Sequence, residues 1–335
     1  MNNITLSPTL FTLGDLTFRN FVDDDDYAET LAVLKAVNIA DDIEEQPSLD
    51  DHIHWIKHLP NFDVQRDILI VESDGTMVGY ALVSWRENDD GEWVHMCNTF
   101  LLPGYRSEEI QAAVMDWCET RLREKCVAPE SAQRYFQAWV ADTATYRARF
   151  LESRGYAVTR NFFLMRYAPL DHDLEVPLPS HLEFRAVEPE HVRTIWEARN
   201  EAFRDHWGHS PQMETEEAFN SFKNDPSTDL SIWRIVWDKN ENQIAGLSVN
   251  SIFKEDNKRY GFKRGWVNSL GVRRPWRKTG VGRALLLESL NALRQAGMTE
   301  SLLGVDAENP TGALNLYKSC GFQVYKRSDV YRKGF

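Results

Sequence analysis

The sequence predicts a layered α+β protein built as two tandem lobes, each a mixed central sheet flanked by helices. Three observations carry that reading. The 335 residues suffice for about two domains. Four anchor segments recur at offsets of about 166–171 residues, the mark of an internal duplication. Within each repeat, β-forming runs bounded by Asp, Asn and Gly alternate with amphipathic helical patterns, an order that layers helices on a sheet.

The anchors fix the elements in turn. Leu16-Thr17-Phe18-Arg19 corresponds to Leu182-Glu183-Phe184-Arg185 as an opening strand. In the first repeat Ile68–Glu72 and Met77–Val83 flank Ser73-Asp74-Gly75-Thr76, and in the second Trp233–Trp237 and Gln243–Val249 flank a polar turn; both read as hairpins. Phe150–Tyr156 matches Leu316–Phe322. In the second repeat Val192, Ile195, Trp196, Arg199 and Phe203 mark one helix face at 3–4 spacing, with Arg199 the polar exception. A second helix runs over Ala284, Leu285, Leu287, Leu290, Leu293 and Ala296 and stops at Gly297. A third begins near Pro310 and ends before Gly321. Between the repeats, Pro169–Ser180 holds three prolines and reads as an extended linker. The expected domains are therefore 1–168 and 182–335, joined by 169–181.

Composition narrows the function classes. Hydrophobic residues at 42% and charged residues at 27% exclude wholesale disorder. No run approaches the ~20 apolar residues of a membrane span, so no membrane partner is expected. The start Met1-Asn2-Asn3-Ile4 has no basic segment or apolar signal core, and four cysteines without a CxxC suit a reducing compartment; the expected location is the cytoplasm. A net charge of −13 argues against nucleic acid. Residues 254–283 nevertheless carry ten Lys and Arg against Glu255 and Asp256, about +8, which is either a solvated basic face or a seat for a compact polyanion. His54 and His58 stand at helical i,i+4 spacing with no third ligand evident, so no metal is expected.

The chemistry concentrates in Val272-Arg273-Arg274-Pro275-Trp276-Arg277-Lys278-Thr279-Gly280-Val281-Gly282-Arg283, where a strand turns through glycines into a helix. A helix start exposes unpaired N–H groups and partial positive charge, and glycines let those amides close on a phosphate. A dinucleotide fold would need a third glycine where Leu285 stands, and no GxxxxGK[ST] run exists. Arg277-Lys278-Thr279-Gly280-Val281-Gly282 resembles the R/Q-x-x-G-x-G/A signature of the GCN5-related N-acetyltransferases. The family's second landmark appears at the right distance, Asn309-Pro310-Thr311-Gly312-Ala313-Leu314-Asn315-Leu316-Tyr317. The resemblance is strong over about 183–333 and weaker over about 16–168, a tandem layout similar to that of the mycothiol synthases in architecture only.

The resemblance implies an N-acetyltransferase that moves an acetyl group from acetyl-CoA to the amine of a small molecule in a ternary complex. It places the pyrophosphate on the amides of Arg277, Lys278, Thr279, Gly280, Val281 and Gly282 beside Arg283. The pantetheine arm then lies along Leu270 and Val272 near Asn309 and Asn315. Tyr317 matches the family's general acid, a phenol that protonates the departing thiolate. Relatives carry a glutamate base on the strand before the turn, but Gly265–Val272 has none. Asn268 or Ser269 holding a water, Asp306, Glu201 and His206 are the candidates, and His206-Trp207 falls where the family lines its acceptor pocket.

In the first repeat Arg106 aligns with Arg277, which sets Glu109 on Gly280 and Gln111 on Gly282, while Leu151 replaces Tyr317. Carboxylates there repel a pyrophosphate, so residues 1–168 are expected to be a non-catalytic lobe. A monomer fits this layout, because two such lobes form an internal pseudo-dimer. The alternative from another class is an acyl-CoA-binding regulator or scaffold without turnover.

Overall fold

The computed structural model describes residues 9–309 and 312–335. Along the chain come β1 (Thr9–Leu13), β2 (Leu16–Asn20), α1 (Asp25–Ala40), α2 (Leu49–Lys57), β3 (Ile68–Ser73), β4 (Thr76–Glu87), β5 (Trp93–Leu101), α3 (Glu108–Lys125), β6 (Arg134–Ala141), α4 (Thr145–Ser153) and β7 (Ala157–Tyr167). Then come β8 (Leu182–Arg185), α5 (Val192–Phe203), α6 (Glu216–Lys223), β9 (Arg234–Asp238), β10 (Gln243–Ser251), α7 (Lys254–Tyr260), β11 (Arg264–Val272), α8 (Val281–Gln295), β12 (Glu300–Asp306), α9 (Ala313–Ser319) and β13 (Gln323–Gly334). The predicted opening strands and hairpins are present. The expected helix start near Pro310 lies outside the described residues. Helix α7 escapes a reading by periodicity because its basic, polar run shows no apolar stripe.

Two compact units result, one from residues up to Thr159 together with Asp329–Phe335, the other from Arg160–Ser328. The division falls inside β7 and β13 rather than at 169–181. Pro-rich composition marks a break in regular structure, but it does not say whose core the neighbouring strands join. In the first unit Arg332 donates to Gln137 Oε1 at 2.8 Å and to Glu92 at 2.7 Å, and Phe335 stacks on Phe136 at 3.9 Å. In the second unit residues 162–167 pair antiparallel with β12. The segment 169–181 is not a free tether. Leu170 is buried and donates to Thr299 O at 2.8 Å, while Asn291 of α8 accepts from Leu174 N at 2.8 Å and donates to Leu174 O at 3.0 Å.

Each unit repeats one topology. In the first, β2, β3, β4 and β5 form an antiparallel meander, and β5 then pairs parallel with β6. In the second, β8, β9, β10 and β11 form the meander, and β11 pairs parallel with β12. Helices cover the sheet faces. Leu286, Leu290 and Leu293 of α8 are fully buried in the second unit's main core, and Gly297 at φ +88° ends the helix with Met298 N donating to Leu293 O at 3.0 Å.

One brace recurs in both units at the strand-to-helix turn. Arg106 Nε donates to Leu101 O at 2.8 Å and its guanidinium grips Asp41 at 2.7 and 3.1 Å. Arg277 Nε donates to Val272 O at 3.1 Å, and its other nitrogens reach Asp205 at 2.9 Å and Ala202 O at 3.1 Å. Each arginine thus ties a strand end, five residues back, to the C-terminal end of the unit's first long helix. Hydrogen bonds from Arg274 and Arg277 hold the Asp205 carboxyl down at about 2.

Two outcomes test these ties. Asn291→Ala should lower stability by about 1–3 kcal/mol in denaturant unfolding, because both its hydrogen bonds to Leu174 are lost in a partly buried setting. A depressed carboxyl contributes stability above its unfolded value near 4 and loses it as pH falls towards about 2. Melts of Asp205→Asn and the parent from pH 7 to 2 should therefore differ above pH 4 and converge below it.

Candidate active site

The site arises where β11 and β12 stop pairing. Their parallel ladder runs only from Arg264↔Glu300 to Trp266↔Leu302, and beyond it the strands part. The resulting cleft of about 750 Å³ lies within the second unit. Val267, Asn268, Leu270 and Val272 line one wall, Gly304, Val305 and Asp306 the other; Ala313, Leu316 and Tyr317 come from α9, and Phe203, His206 and Trp207 from the end of α5 and the loop after it.

At one end sits the glycine turn. Lys278 at φ +63° and Gly280 at φ +92° lift the chain into the left-handed region and so aim successive amides to one side. Among the described residues, the N–H groups of Lys278, Thr279, Gly280, Val281, Gly282 and Arg283 have no protein acceptor, the first intrahelical bond being Ala284 N to Gly280 O at 3.0 Å. A Cβ on Gly282 would stand in contact with two cleft-lining side chains, 3.4 Å from Leu316 and 3.5 Å from Val272. Helix start, dipole and glycines together form an anion seat.

The expected cofactor contacts need corrections. The Arg277 amide is used on Arg274 O at 3.2 Å and its guanidinium on the brace, so the amide run begins at Lys278. Thr279 turns its hydroxyl back to Trp276 O at 2.6 Å, and Val281 is fully buried in the core; neither side chain lines the cleft. Arg283 lines it while donating to Ser319 and Cys320 of the α9 end, at 3.2 and 3.5 Å. Asn309 lines the cleft, whereas Asn315 is exposed on α9 away from its walls. Lys278 is exposed and has no ion-pair partner among the described residues.

At the other end lie Tyr317 and Asn268. Tyr317 is 7% exposed, and burial first and Cys320 second push its phenol up to about 12, so it holds its proton at neutral pH. Its hydroxyl has no hydrogen-bond partner among the described residues. Asn268 is the extra residue of a β-bulge: Val249 pairs with Ser269 but Asn250 pairs with Val267. The bulge turns the Asn268 side chain into the cleft, where Ser251 Oγ accepts from its amide at 2.8 Å. Ser269 is buried on the opposite side, hydrogen-bonded by Arg199.

The acid and base candidates separate. Glu201 accepts from Arg273 at 2.7 Å and does not line the cleft. Asp306 lines it but is held by Arg160 through bonds of 2.8–3.1 Å. His206 lines it with its ring against Phe203 at 4.4 Å; burial and then Arg277 lower its pKa, which keeps it neutral at pH 7. Trp207 packs at 6.0 Å from Phe162 on the same wall.

The first unit closes the same opening. Its β5–β6 ladder also stops early, after Met96↔Gln137, yet the space there is about 10 Å³. Tyr146 and Arg147 occupy the positions of Gly312 and Ala313, and Arg147 donates to Cys97 O at 3.3 Å. β5 pairs with β4 without a bulge. The helix start is capped from within: Ser107 Oγ accepts from Ile110 N at 3.3 Å and Gln111 Nε2 donates to Arg106 O at 2.9 Å. Its N-cap comes one residue after the arginine instead of three, so Ser107 stands in the place of Gly280 and Glu109 in that of Gly282, two residues off the ungapped alignment. The exchange of Tyr317 for Leu151 is legible in the repeat alignment, but the small pair Gly312 and Ala313 one turn earlier carries the stronger signal.

Comparison with known proteins agrees with this geometry. A model of the acetyltransferase (GNAT) family matches residues 32–156 and 192–322. The mycothiol acetyltransferase of Thermobispora bispora is 27% identical over 276 residues, 80% of this chain and 83% of that protein. That of Geodermatophilus obscurus is 26% identical over 301 residues, 88% and 90% of the two chains. Among solved structures, a GCN5-related N-acetyltransferase from Sphaerobacter thermophilus gives a TM-score of 0.70 at 24% identity over 97% of both chains. A tandem GNAT protein from the clavulanic acid biosynthesis pathway gives 0.67 at 18% identity, over 95% and 98%. A chain matched twice by one family model, with the parted strands and glycine turn intact in its second copy, belongs to the GNAT acetyltransferase family and is an acyltransferase of tandem GNAT layout.

Proposed function

We propose that this acyltransferase carries an acetyl group from acetyl-CoA to the amine of a small molecule, by direct attack within a ternary complex in the second unit. The observation that carries the reading is the run of unpartnered amides from Lys278 to Arg283 at the mouth of a cleft that ends at Tyr317. Those amides, the α8 dipole and Lys278 suit the diphosphate. The β11 edge between Val267 and Val272, left without a strand partner, suits the amides of a pantetheine arm.

In the reaction the amine lone pair forms a bond to the thioester carbonyl carbon and the carbon–sulfur bond breaks. Asn268, fixed by Ser251, holds the water that takes the proton from the nitrogen. Tyr317 gives its proton to the departing sulfur and regains one from solvent. A phenol near 12 is a weak acid against a thiol of pKa about 8.5 in water. Burial in the same dry cleft raises the basicity of the thiolate as well, which narrows the gap. In the first unit, Arg147 and Tyr146 fill the equivalent opening, which supports a non-catalytic role for it.

Calorimetric titration with acetyl-CoA should give one site per chain, and Gly280→Glu, which adds a charge and a Cβ at φ +92°, should abolish it; retained affinity would show that the turn is not the cradle. Tyr317→Phe and Asn268→Ala should bind acetyl-CoA normally. Tyr317→Phe should lower kcat by roughly 10²–10⁴, Asn268→Ala by a smaller factor, and unchanged rates would remove those roles.

A further inference from the structure

The cleft of the second unit runs through the sheet, and its two mouths differ in chemistry. A Cβ on Gly271 would meet Ala202 and Phe203 of α5, at 2.9 and 3.2 Å. Gly246, which pairs with Val272, faces α8 instead, where a Cβ would meet Leu285 and Val281 at 2.8 and 3.1 Å. Adjacent strand residues point to opposite faces, so Gly271 and Val272 put α5 on one face of the sheet and α8 on the other. Both faces open into one cleft. Phe203, His206 and Trp207 line it from the α5 side, Gly280, Gly282 and Arg283 from the α8 side.

The α5 mouth is walled by rings. Phe203 packs on β11 at Gly271, with the His206 ring 4.4 Å away. Trp207 reaches the other wall, where Phe162, paired with Asp306, lies at 6.0 Å and the Arg160 guanidinium carbon at 5.5 Å from its ring. Phe162, Phe203, His206 and Trp207 are all half-buried, so each keeps part of its ring for the cleft they line. Between these walls one strand residue has no side chain. Gly304 stands two residues beyond the last paired rung, Trp266↔Leu302, as Asn268 does on β11, and a Cβ there would meet nothing within 4 Å. It shares its face of β12 with Asp306. The arginines of this mouth are each matched by a carboxylate, Arg160 by Asp306 and both Arg274 and Arg277 by Asp205.

We propose that the acceptor is a primary amine carried on a flat aromatic ring, with no second charge, and that the ring lies between Phe203, Trp207 and the bare strand at Gly304 with its amine at the gap. The inference rests on the acetyl-transfer reading above: a cofactor seated at the glycine turn reaches the gap from the α8 face, which leaves the α5 face to the acceptor. Ring walls favour a planar guest by burial and by stacked or edge contacts, and a strand without a side chain admits its thickness. A carboxylate or phosphate on the acceptor would lose water beside Asp306 and find no unmatched arginine there. Trp207 and Gly304 touch the body of the acceptor and take no part in the proton transfers, so they set its KM and leave acetyl-CoA affinity alone.

The test follows thiol release from acetyl-CoA with phenylethylamine and tryptamine against three controls: cyclohexylethylamine, apolar but not flat; glucosamine, a polar ring; and phenylalanine, the same ring with a carboxylate. At least one aromatic amine should exceed every control by roughly tenfold or more in kcat/KM, chiefly through KM. Trp207→Ala should raise KM for that amine with acetyl-CoA affinity unchanged by calorimetry, and Trp207→Phe should recover part of the loss. Should Trp207→Ala fail to fold, the wild-type comparison and Gly304→Val decide. The valine fits the fold, since its Cβ meets nothing, but it fills the slot and should lower kcat/KM for the aromatic amine. A control acetylated as well as the aromatic amines, or no acetylation of either aromatic amine with acetyl-CoA bound, overturns the proposal. Failure to bind acetyl-CoA at all would instead overturn the reaction on which it rests.

Discussion

The second unit is organised around two parallel strands that part. Beyond Trp266 and Leu302 neither β11 nor β12 offers the other a hydrogen-bond partner, so backbone groups inside the unit need other company. A parallel ladder is normally continuous and covered on both faces. Interrupting it here makes a slot whose walls are main chain on both sides. The slot's ends are set by the glycine turn after β11 and by α9, with Tyr317, after β12. The Asn268 bulge sharpens the opening by twisting β11 where it leaves its neighbour.

The duplicated first unit shows the same constraint answered from within. Its ladder also stops short, but there Arg147 reaches a strand carbonyl and Tyr146 and Phe150 fill the volume. At the helix start a serine cap and a glutamine side chain take up groups that in the second unit stay open. The units differ in a few side chains, in the bulge of the strand before the turn and in where the helix starts. Gly312 and Ala313 leave a channel, and Tyr146 and Arg147 do not.

Part of the positive charge in the second unit is tied up in ion pairs. Of the cluster that sets residues 254–283 apart in an acidic chain, Arg264 is matched by Glu300, Arg273 by Glu201, and Arg274 and Arg277 by Asp205. Arg264 is buried against Glu300, whereas the partly exposed pairs of Arg273, Arg274 and Arg277 hold the turn more than they stabilise the fold. Lys278, at the glycine turn, has no ion-pair partner among the described residues. Arginines distant in sequence also hold Glu201 and Asp306, while Asn268, His206 and Tyr317 line the cleft.

The sequence by itself determined the duplication, the order of strands and helices, the glycine turn with its helix and the place of Tyr317. All of these rest on local periodicity, turn chemistry and short motifs that each segment carries within itself. Only the tertiary structure decided that residues 160–167 and 329–335 join cores other than those of their own repeats, that Asn268 sits on a bulge, and that Arg277 braces the end of a helix. The physical reason is that pairing register and ion-pair partners are chosen among segments tens to hundreds of residues apart. Such a choice depends on which groups burial brings within hydrogen-bond reach, and no window of sequence records it.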